Sequence, residues 1–330
     1  MNKKKMEDAG FSTMIDSSAD LADAGVLRER MDDAGYLYFR RLVDPDRILR
    51  AKNDIMGLLR KHRILEDDGH VEPIWSGGPE PTEAEWMAVY DQIVRLNSFR
   101  EVAHSPEIIS VIETVSREPV RVWDQQLIRV VYPEPGKEAP RGVGAHQDGD
   151  PKLGYQAKTF YTAWVALMGI DIPVGGLAVS PCTHKRGILQ SEGIGASSSK
   201  DADSKSYGLD PRDLEWATDV YVPGGTVIFA CRTVHRGLPN HSDRIRLSGD
   251  FRYQPVSENA SWLSTTPGPD IRRVAQAIDE TLSSRALYVT VRPRPEILPE
   301  LRQRMLEEKN ASLERAQELV REIKKQKPSL

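Results

Sequence analysis

Residues 223–253 read PGGTVIFACRTVHRGLPNHSDRIRLSGDFRY. The Pro-Gly-Gly turn precedes a run of β-branched and aromatic residues, Thr226 to Phe229, which is typical of a buried strand. A second strand-like run, Arg246 to Tyr253, follows a turn sequence at residues 239–243. His235 lies beyond the end of the first run, where a side chain would reach the mouth of a barrel. The stretch therefore predicts two strands of an all-β fold with a histidine near one end.

The same strand-and-turn pattern extends back to Val120, where short β-rich segments alternate with Gly and Pro turns. The further segments are 120–131, 159–166 and 176–180. We therefore expect a mainly β core over residues 119–256, of the sandwich or barrel class. Residues 190–206 are poor in apolar side chains and rich in Ser, Gly and Lys, which predicts a mobile loop.

Apolar residues at helical spacing dominate on both sides of this core. The predicted helices before the core cover residues 18–34, a segment that begins at Asp44-Pro45, residues 83–103 and residues 106–116, with a short strand at 35–39. After Pro295 the chain is charged and helical to Lys327, and this helix is expected to pack on the domain or on a second copy of the chain in a homo-oligomer. We predict a single domain over residues 1–330, made of a mainly helical part (1–118), the β core (119–256) and a helical extension (257–330).

The composition excludes several classes of protein. The formal net charge is −4 with 28% charged residues, so the chain lacks the basic field of a nucleic-acid-binding protein. No apolar run approaches the roughly 18 residues that a membrane helix needs. Residues 1–16 are charged and polar, unlike a secretory signal, so we expect a cytoplasmic protein in which Cys182 and Cys231 are free, buried thiols.

A histidine followed two residues later by an acid occurs at His70-Val71-Glu72, at His146-Gln147-Asp148 and at His241-Ser242-Asp243. The second of these follows a predicted strand and a Pro/Gly turn, which favours it as a metal motif. Because residues i and i+2 of a strand face the same side, His146 and Asp148 could chelate one ion. Two imidazoles and one carboxylate on one face suit iron(II) and leave positions open for oxidant and substrate.

The third ligand is expected from His235, at the end of the strand that the Pro-Gly-Gly turn begins. Arg246 lies eleven residues further on, at the start of the next strand, where its guanidinium could clamp the distal carboxylate of a dicarboxylic cosubstrate. His241 and Arg252 have the same spacing, but His241 lies in a turn sequence, so we prefer His235 with Arg246.

Taken together, several motifs resemble the phytanoyl-CoA dioxygenase-like family over roughly residues 30–256. They are Gly35 to Phe39 with Asp44-Pro45, His146-Gln147-Asp148, Gly175 to Lys185, Pro223 to Phe229, His235-Arg236-Gly237, Asn240 with Ser242, Arg246 and Arg252-Tyr253. Two positions depart from the family pattern: Cys182 replaces the usual Gly, and Met168-Gly169 replaces the usual Asp-Asp.

The resemblance implies a mainly β fold with flanking helices and a double-stranded β-helix (jelly-roll, cupin-like) core. It implies iron(II), the cosubstrate 2-oxoglutarate, and O2 as oxidant. Matched position by position, it implies that the metal ligands are His146, Asp148 and His235, and that Arg246 binds 2-oxoglutarate. It places Gln126, Thr162 and Trp164 at the cosubstrate pocket.

The predicted function is oxidation of a small molecule by a 2-oxoglutarate-dependent dioxygenase, with release of succinate and CO2. The oxidation could be a hydroxylation, a desaturation or a cyclisation, and a hydroxylation is preferred. A halogenase of this fold would need a small residue where Asp148 stands. A non-catalytic, cupin-like metal-binding module would not need Arg246. Residues 149–156 and the loop 190–206 are natural substrate-facing segments. They leave open a free metabolite, a carrier-bound acyl chain or a natural-product intermediate, and the breadth of the family favours specialised metabolism.

Overall fold

The computed structural model describes residues 10–66, 69–78, 80–123, 126–134, 144–150, 157–189 and 214–258. The chain divides into two compact units, Met1–Asn259 and Ala260–Leu330, and the described residues all belong to the first unit. The predicted loop 190–206 and the predicted C-terminal helix, with the homo-oligomer expected through it, lie outside the described residues.

Among the described residues, five α-helices precede the β core: α1 (Ala24–Ala34), α2 (Pro45–Lys61), α3 (Glu83–Ile93), α4 (Asn97–Ala103) and α5 (Pro106–Ser116). Their boundaries follow local chemistry. The side chain of Asp44 accepts a hydrogen bond from the N–H of Asp46, and Pro45 occupies the first turn of α2. Thr82 and Glu85 form a reciprocal capping box at the start of α3.

Two predicted helices differ from the observed ones. The helix expected from residue 18 begins at Ala24, because the Asp23 carboxylate accepts from the N–H groups of Gly25 and Val26 and caps it there. The helix expected over 83–103 is two helices, α3 and α4. The Arg100 side chain donates to the carbonyl of Val94 and stabilises the break between them.

In the part of the chain that the structure describes, ten strands form two sheets. The strands are β1 (Phe11–Thr13), β2 (Tyr36–Phe39), β3 (Val120–Val122), β4 (Leu127–Val131), β5 (Tyr161–Ala166), β6 (Leu177–Val179), β7 (Trp216–Thr218), β8 (Thr226–Ala230), β9 (His235–Gly237) and β10 (Arg246–Pro255). One sheet has the order β2-β8-β5-β10-β3, with β4 also paired to β10, and all its pairs are antiparallel. The other sheet has the order β1-β7-β6-β9. The predicted mainly β core with flanking helices is confirmed, although the segment 120–131 is two strands, β3 and β4.

The core of the larger sheet is organised by β10, which is buried along its whole length. One face of this strand is apolar and packs against the helices: the Phe251 ring lies 5.1 Å from that of Phe99, and Tyr253 donates to the carbonyl of Ala103. The opposite face carries Arg246, Ser248, Asp250 and Arg252, which point into the interior between the sheets. The fold therefore places a row of polar side chains beside the candidate site.

The cysteines only partly match the expectation of two free, buried thiols. Both are free, but Cys182 is exposed, so the prediction of a buried thiol was wrong for it. Cys182 lies in a left-handed turn (φ 63°) that starts a short 3-10 helix, Thr183–Arg186, at the surface.

None of the helices in the described part of the chain has the length and apolar character that a membrane-crossing helix requires.

The end of α1 gives a stability prediction. Gly35 has φ +80°, and a Cβ on it would overlap the ring of His184 and the hydroxyl of Thr233. Gly35→Ala should therefore lower the free energy of unfolding by more than about 1 kcal/mol. Gly57, in the interior of α2, has nothing within 4 Å of its Cβ position. Gly57→Ala should raise the free energy of unfolding by about 0.5–1 kcal/mol, and urea denaturation of both variants checks the contrast.

Candidate metal centre

Two histidines from different parts of the chain face each other across an antiparallel bridge. The N–H of His146 donates to the carbonyl of His235 over 2.9 Å, and the reverse bond is 3.0 Å. His235 begins β9, so this bridge adds residue 146 to the edge of the smaller sheet. Because paired residues direct their side chains to the same side, the two imidazoles lie together, with ring centroids 4.2 Å apart.

Backbone carbonyls select the tautomer of both rings. The Nδ1 atom of His146 is 2.8 Å from the carbonyl oxygen of Gly144, and that of His235 is 3.0 Å from the carbonyl oxygen of Thr233. A carbonyl can only accept, so each Nδ1 carries the proton and each Nε2 presents a lone pair. Burial, and then the neighbouring His146, lowers the pKa of His235 to about 4, which keeps this ring neutral at physiological pH.

Asp148 completes a three-ligand face. Its Oδ1 atom lies 3.6 Å from Nε2 of His146 and 3.8 Å from Nε2 of His235. Burial alone would raise the pKa of the Asp148 carboxyl, but the Arg252 guanidinium beside it holds this pKa well below its ordinary value. Two imidazole nitrogens and one carboxylate oxygen, all within 4.8 Å of one another, match the donor set that iron(II) accepts.

The His146-Gln147-Asp148 motif does not form the strand that we predicted. His146 makes a β-bridge, whereas Asp148 and Gly149 form a turn. Gln147 fixes this turn from the other side: its amide donates to the carbonyls of Gly187 and Arg232, and its oxygen accepts from the N–H of Leu189. The two ligand side chains converge because the intervening residue is anchored, and strand alternation is not the cause.

The two competing motifs do not form metal sites. Glu72 is bound by the ammonium group of Lys52 over 2.6 Å, and His70 is exposed. His241 and Asp243 are both exposed in a turn. Within the part of the chain that the structure describes, His146, Asp148 and His235 are the one cluster of metal-ligating side chains.

A cavity opens from the metal ligands into the space between the sheets. Its other described lining residues are Arg129, Thr162, Trp164, Leu177, Phe229, Gly237, Arg246 and Asp250. The predicted residues Arg246, Thr162 and Trp164 are therefore brought to the same cavity as the metal ligands. Gln126 is buried, but it is not among the described residues that line the cavity.

Arg246 is a buried cation with unused hydrogen-bonding capacity. Its Nη1 atom donates to the carbonyls of Leu238, at 2.9 Å, and of Gly175. Its Nε atom and the hydroxyl of Ser248 are buried without a partner among the described residues. Burial, opposed by Asp250, lowers the pKa of Arg246 to about 10, so it stays charged at neutral pH. A buried, charged and incompletely bonded guanidinium fits a bound carboxylate such as that of 2-oxoglutarate.

Thr162 and Trp164 make different contacts in this cavity. The Thr162 hydroxyl donates to Oδ2 of Asp148 over 2.6 Å, so it is committed to a metal ligand. The Trp164 ring packs edge-on against Tyr221 at 4.7 Å and forms part of the cavity wall. Contact with the cosubstrate stays a prediction for both residues. The contact that the structure gives for the Thr162 hydroxyl is with the carboxylate of Asp148.

Sequence reasoning missed three charged residues. Arg252, set aside with His241 as a cosubstrate clamp, donates from Nη2 to Oδ1 of Asp148 over 3.1 Å and from Nε to Oδ2 over 3.3 Å. Arg129 on β4 donates from Nε to Oδ2 of Asp250 over 2.7 Å. The signal that could have found Arg252 and Asp250 was present, because Arg246, Asp250 and Arg252 share one face of a strand by alternation.

Comparison with known proteins is consistent with this geometry. The family model "Phytanoyl-CoA dioxygenase (PhyH)" matches residues 31–248. Two curated relatives are called 1-deoxypentalenic acid 11-beta-hydroxylase. The one from Streptomyces arenae is 28% identical over 273 residues, which cover 79% of this chain and 91% of the relative. The one from Streptomyces exfoliatus is 26% identical over 274 residues, with the same coverage.

A solved structure shares the fold. The epimerase SnoN in complex with Fe3+, alpha ketoglutarate and nogalamycin RO aligns with a TM-score of 0.50 and 18% identity, covering 73% of this chain and 86% of SnoN. This likeness and the two described sheets agree with the expected double-stranded β-helix core.

The ligand geometry predicts which histidine matters for metal binding. His235→Ala removes one of three ligands and should weaken Co(II) binding by at least about 10-fold, which is a loss of about 1.4 kcal/mol in binding free energy. Titration calorimetry measures this change. His241→Ala is the matched control and should bind Co(II) like the unmodified protein, because His241 is exposed and outside the cluster. The reverse pattern would move the metal site to His241.

Proposed function

The chain belongs to the phytanoyl-CoA dioxygenase family, and we propose that it hydroxylates a small carboxylic acid of specialised metabolism. It is a 2-oxoglutarate-dependent non-haem iron dioxygenase, as its family membership and its hydroxylase relatives indicate. We assign iron(II) to His146, Asp148 and His235, and the distal carboxylate of 2-oxoglutarate to Arg246. The products besides the hydroxylated substrate would be succinate and CO2.

One observation carries this assignment: a three-ligand face and an incompletely bonded, buried arginine line the same cavity. A metal site alone would suit a non-catalytic cupin-like module. Such a module would not need a buried Arg246 whose Nε atom has no partner among the described residues, since burial disfavours the charge of the guanidinium. A halogenase is disfavoured because the Asp148 carboxylate occupies the position that a halide would need.

When bound, iron(II) and 2-oxoglutarate supply the oxidising chemistry with O2. The chain's own residues prepare the site for it. His146 and His235 offer Nε2 lone pairs because the Gly144 and Thr233 carbonyls fix their tautomers. Arg246 orients the cosubstrate through a charged, directional contact, and Leu177 and Phe229 contribute apolar surface to the same cavity.

The substrate class rests on two supports. The curated relatives are named for hydroxylation of 1-deoxypentalenic acid, a carboxylic acid. In this chain the cavity also holds Arg129, whose side chain is 29% exposed, whereas that of Arg252 is 4% exposed. Asp250 engages its Nε atom, so the terminal nitrogens stay available to a second carboxylate. We assign the carboxylate of the substrate to Arg129.

The test measures succinate formed from 2-oxoglutarate under O2 by the iron-loaded protein. Each acid of a panel, which includes 1-deoxypentalenic acid, is paired with its methyl ester. Stimulation of succinate formation by an acid and weaker stimulation by its ester are expected. If succinate never exceeds the level of the His235→Ala variant, the proposed reaction is wrong.

Arg129→Gln should raise the KM for an acid substrate by about 10- to 100-fold, the equivalent of one lost charge-assisted contact. The KM for the matched ester and the KM for 2-oxoglutarate should change much less, since neither uses Arg129 in this assignment. Steady-state kinetics with both substrates separates these effects. Equal losses for acid and ester would remove the substrate carboxylate from Arg129.

Arg246→Lys keeps the positive charge and loses the planar fork of the guanidinium. The KM for 2-oxoglutarate should rise roughly 30-fold, for a loss on the order of 2 kcal/mol. The KM for the primary substrate should change less, because Arg246 is assigned to the cosubstrate. An unchanged KM for 2-oxoglutarate would exclude Arg246 from the cosubstrate site.

A further inference from the structure

We propose that Arg252 is a positioning residue for the metal: together with Thr162 it forms an anion cradle that fixes the Asp148 carboxylate in its ligating orientation. This inference rests on the proposed assignment of Asp148 as an iron ligand. It gives Arg252 a role different from that of Arg246, although both lie on the inner face of β10.

The contacts account for most of the hydrogen-bonding capacity of the carboxylate. Oδ2 accepts from the Thr162 hydroxyl over 2.6 Å and from Nε of Arg252 over 3.3 Å. Oδ1 accepts from Nη2 of Arg252 over 3.1 Å. A carboxylate offers about four lone-pair sites, so one direction on Oδ1 is left, and Oδ1 is the oxygen near both histidine Nε2 atoms. The cradle therefore selects Oδ1 as the single ligand atom.

Strand register makes the cradle rigid. Arg252 on β10 is paired directly with Thr162 on β5, so both donors stand side by side on the same face. The backbone carbonyl of Arg252 also accepts from the N–H of Trp123, which holds the strand from its other edge. Asp148, in contrast, lies in a turn and depends on these side chains for its orientation.

Charge explains why an arginine suits this place. Asp148 and Arg252 are both almost completely buried, with side chains 3% and 4% exposed. A buried carboxylate without a cation would lose hydration without compensation and would gain from turning out of the interior. Arg252 supplies that cation without occupying the metal face, so the Asp148 carboxylate stays aimed at the metal.

The first experiment uses Co(II) as a redox-inert probe, with binding measured by calorimetry and by its visible absorption spectrum. Arg252→Gln should weaken Co(II) binding by about 10- to 100-fold, the usual effect of losing a group that orients a metal ligand. Arg252→Lys should restore part of this loss because it returns the charge. Arg244→Gln removes an arginine that pairs with Asp171 and does not line the cavity, so it should leave Co(II) affinity and spectrum unchanged.

The outcomes separate this proposal from the proposed function. If His235→Ala weakens Co(II) binding but folded Arg252→Gln binds with an unchanged affinity and spectrum, the cradle is wrong and the metal site stands. If His235→Ala also leaves Co(II) binding unchanged, the metal assignment itself fails. If Arg252→Gln keeps Co(II) affinity and instead loses 2-oxoglutarate, Arg252 belongs to the cosubstrate and the positioning role is overturned.

A second experiment does not require Arg252→Gln to fold with an unpaired Asp148. Asp148→Gly leaves Arg252 and Thr162 around a space of carboxylate size, so added formate should restore part of the Co(II) affinity. Asp148→Gly combined with Arg252→Gln should show no such rescue, because the cation that holds formate is gone. Rescue of equal size in the two proteins, or none in Asp148→Gly, would contradict the proposal.

Discussion

The alternation of side chains along β10 is the constraint on which the rest of the site depends. A strand buried along ten residues has to place both of its faces in the interior. The outer face packs Phe251 and Tyr253 against the helices, and the inner face forms ion pairs through Asp250 and Arg252. Because one strand carries both faces, packing of the helical layer sets the position of the charged residues. The strand thereby links the N-terminal helices to the metal centre.

The metal ligands could be predicted from the sequence because their signals are local. His146 and Asp148 are two residues apart, and His235 follows a strand whose start is indicated by the Pro-Gly-Gly turn before it. Strand alternation, however, does not explain why the side chains of His146 and Asp148 converge. They converge because Gln147 anchors a turn between them. The bridge that brings His146 to His235 spans 89 positions. The place of His235 at the end of a predicted strand suggested it as the third ligand, and the family resemblance then supported the pairing.

The residues that support the ligands could not be predicted in the same way. The role of Arg252 depends on its register against Thr162, and register between strands far apart in sequence is not fixed by either strand alone. In the sequence, the eleven-residue spacing paired Arg252 with His241 as an alternative ligand and clamp, but His241 is an exposed residue in a turn. The break between α3 and α4 could not be predicted either, because it contains no Pro or Gly. The Arg100 side chain stabilises it by donating a hydrogen bond to the carbonyl of Val94, and the spacing of apolar residues gives no sign of such a bond.

The charges around the cavity bear on the choice of substrate. Among the described residues that line it or contact Asp148, the arginines are Arg129, Arg246 and Arg252, and the acids are Asp148 and Asp250. One positive charge is therefore in excess. Iron(II) and the dianion of 2-oxoglutarate cancel each other, so loading the site leaves this excess in place. A monoanionic substrate would balance this charge. In the assignment that we propose, Arg252 pairs with the metal ligand Asp148, Arg246 with the cosubstrate, and Arg129 with the substrate carboxylate, while Asp250 accepts a hydrogen bond from the Nε atom of Arg129. The net charge of these described residues therefore suits a carboxylic acid better than a neutral substrate.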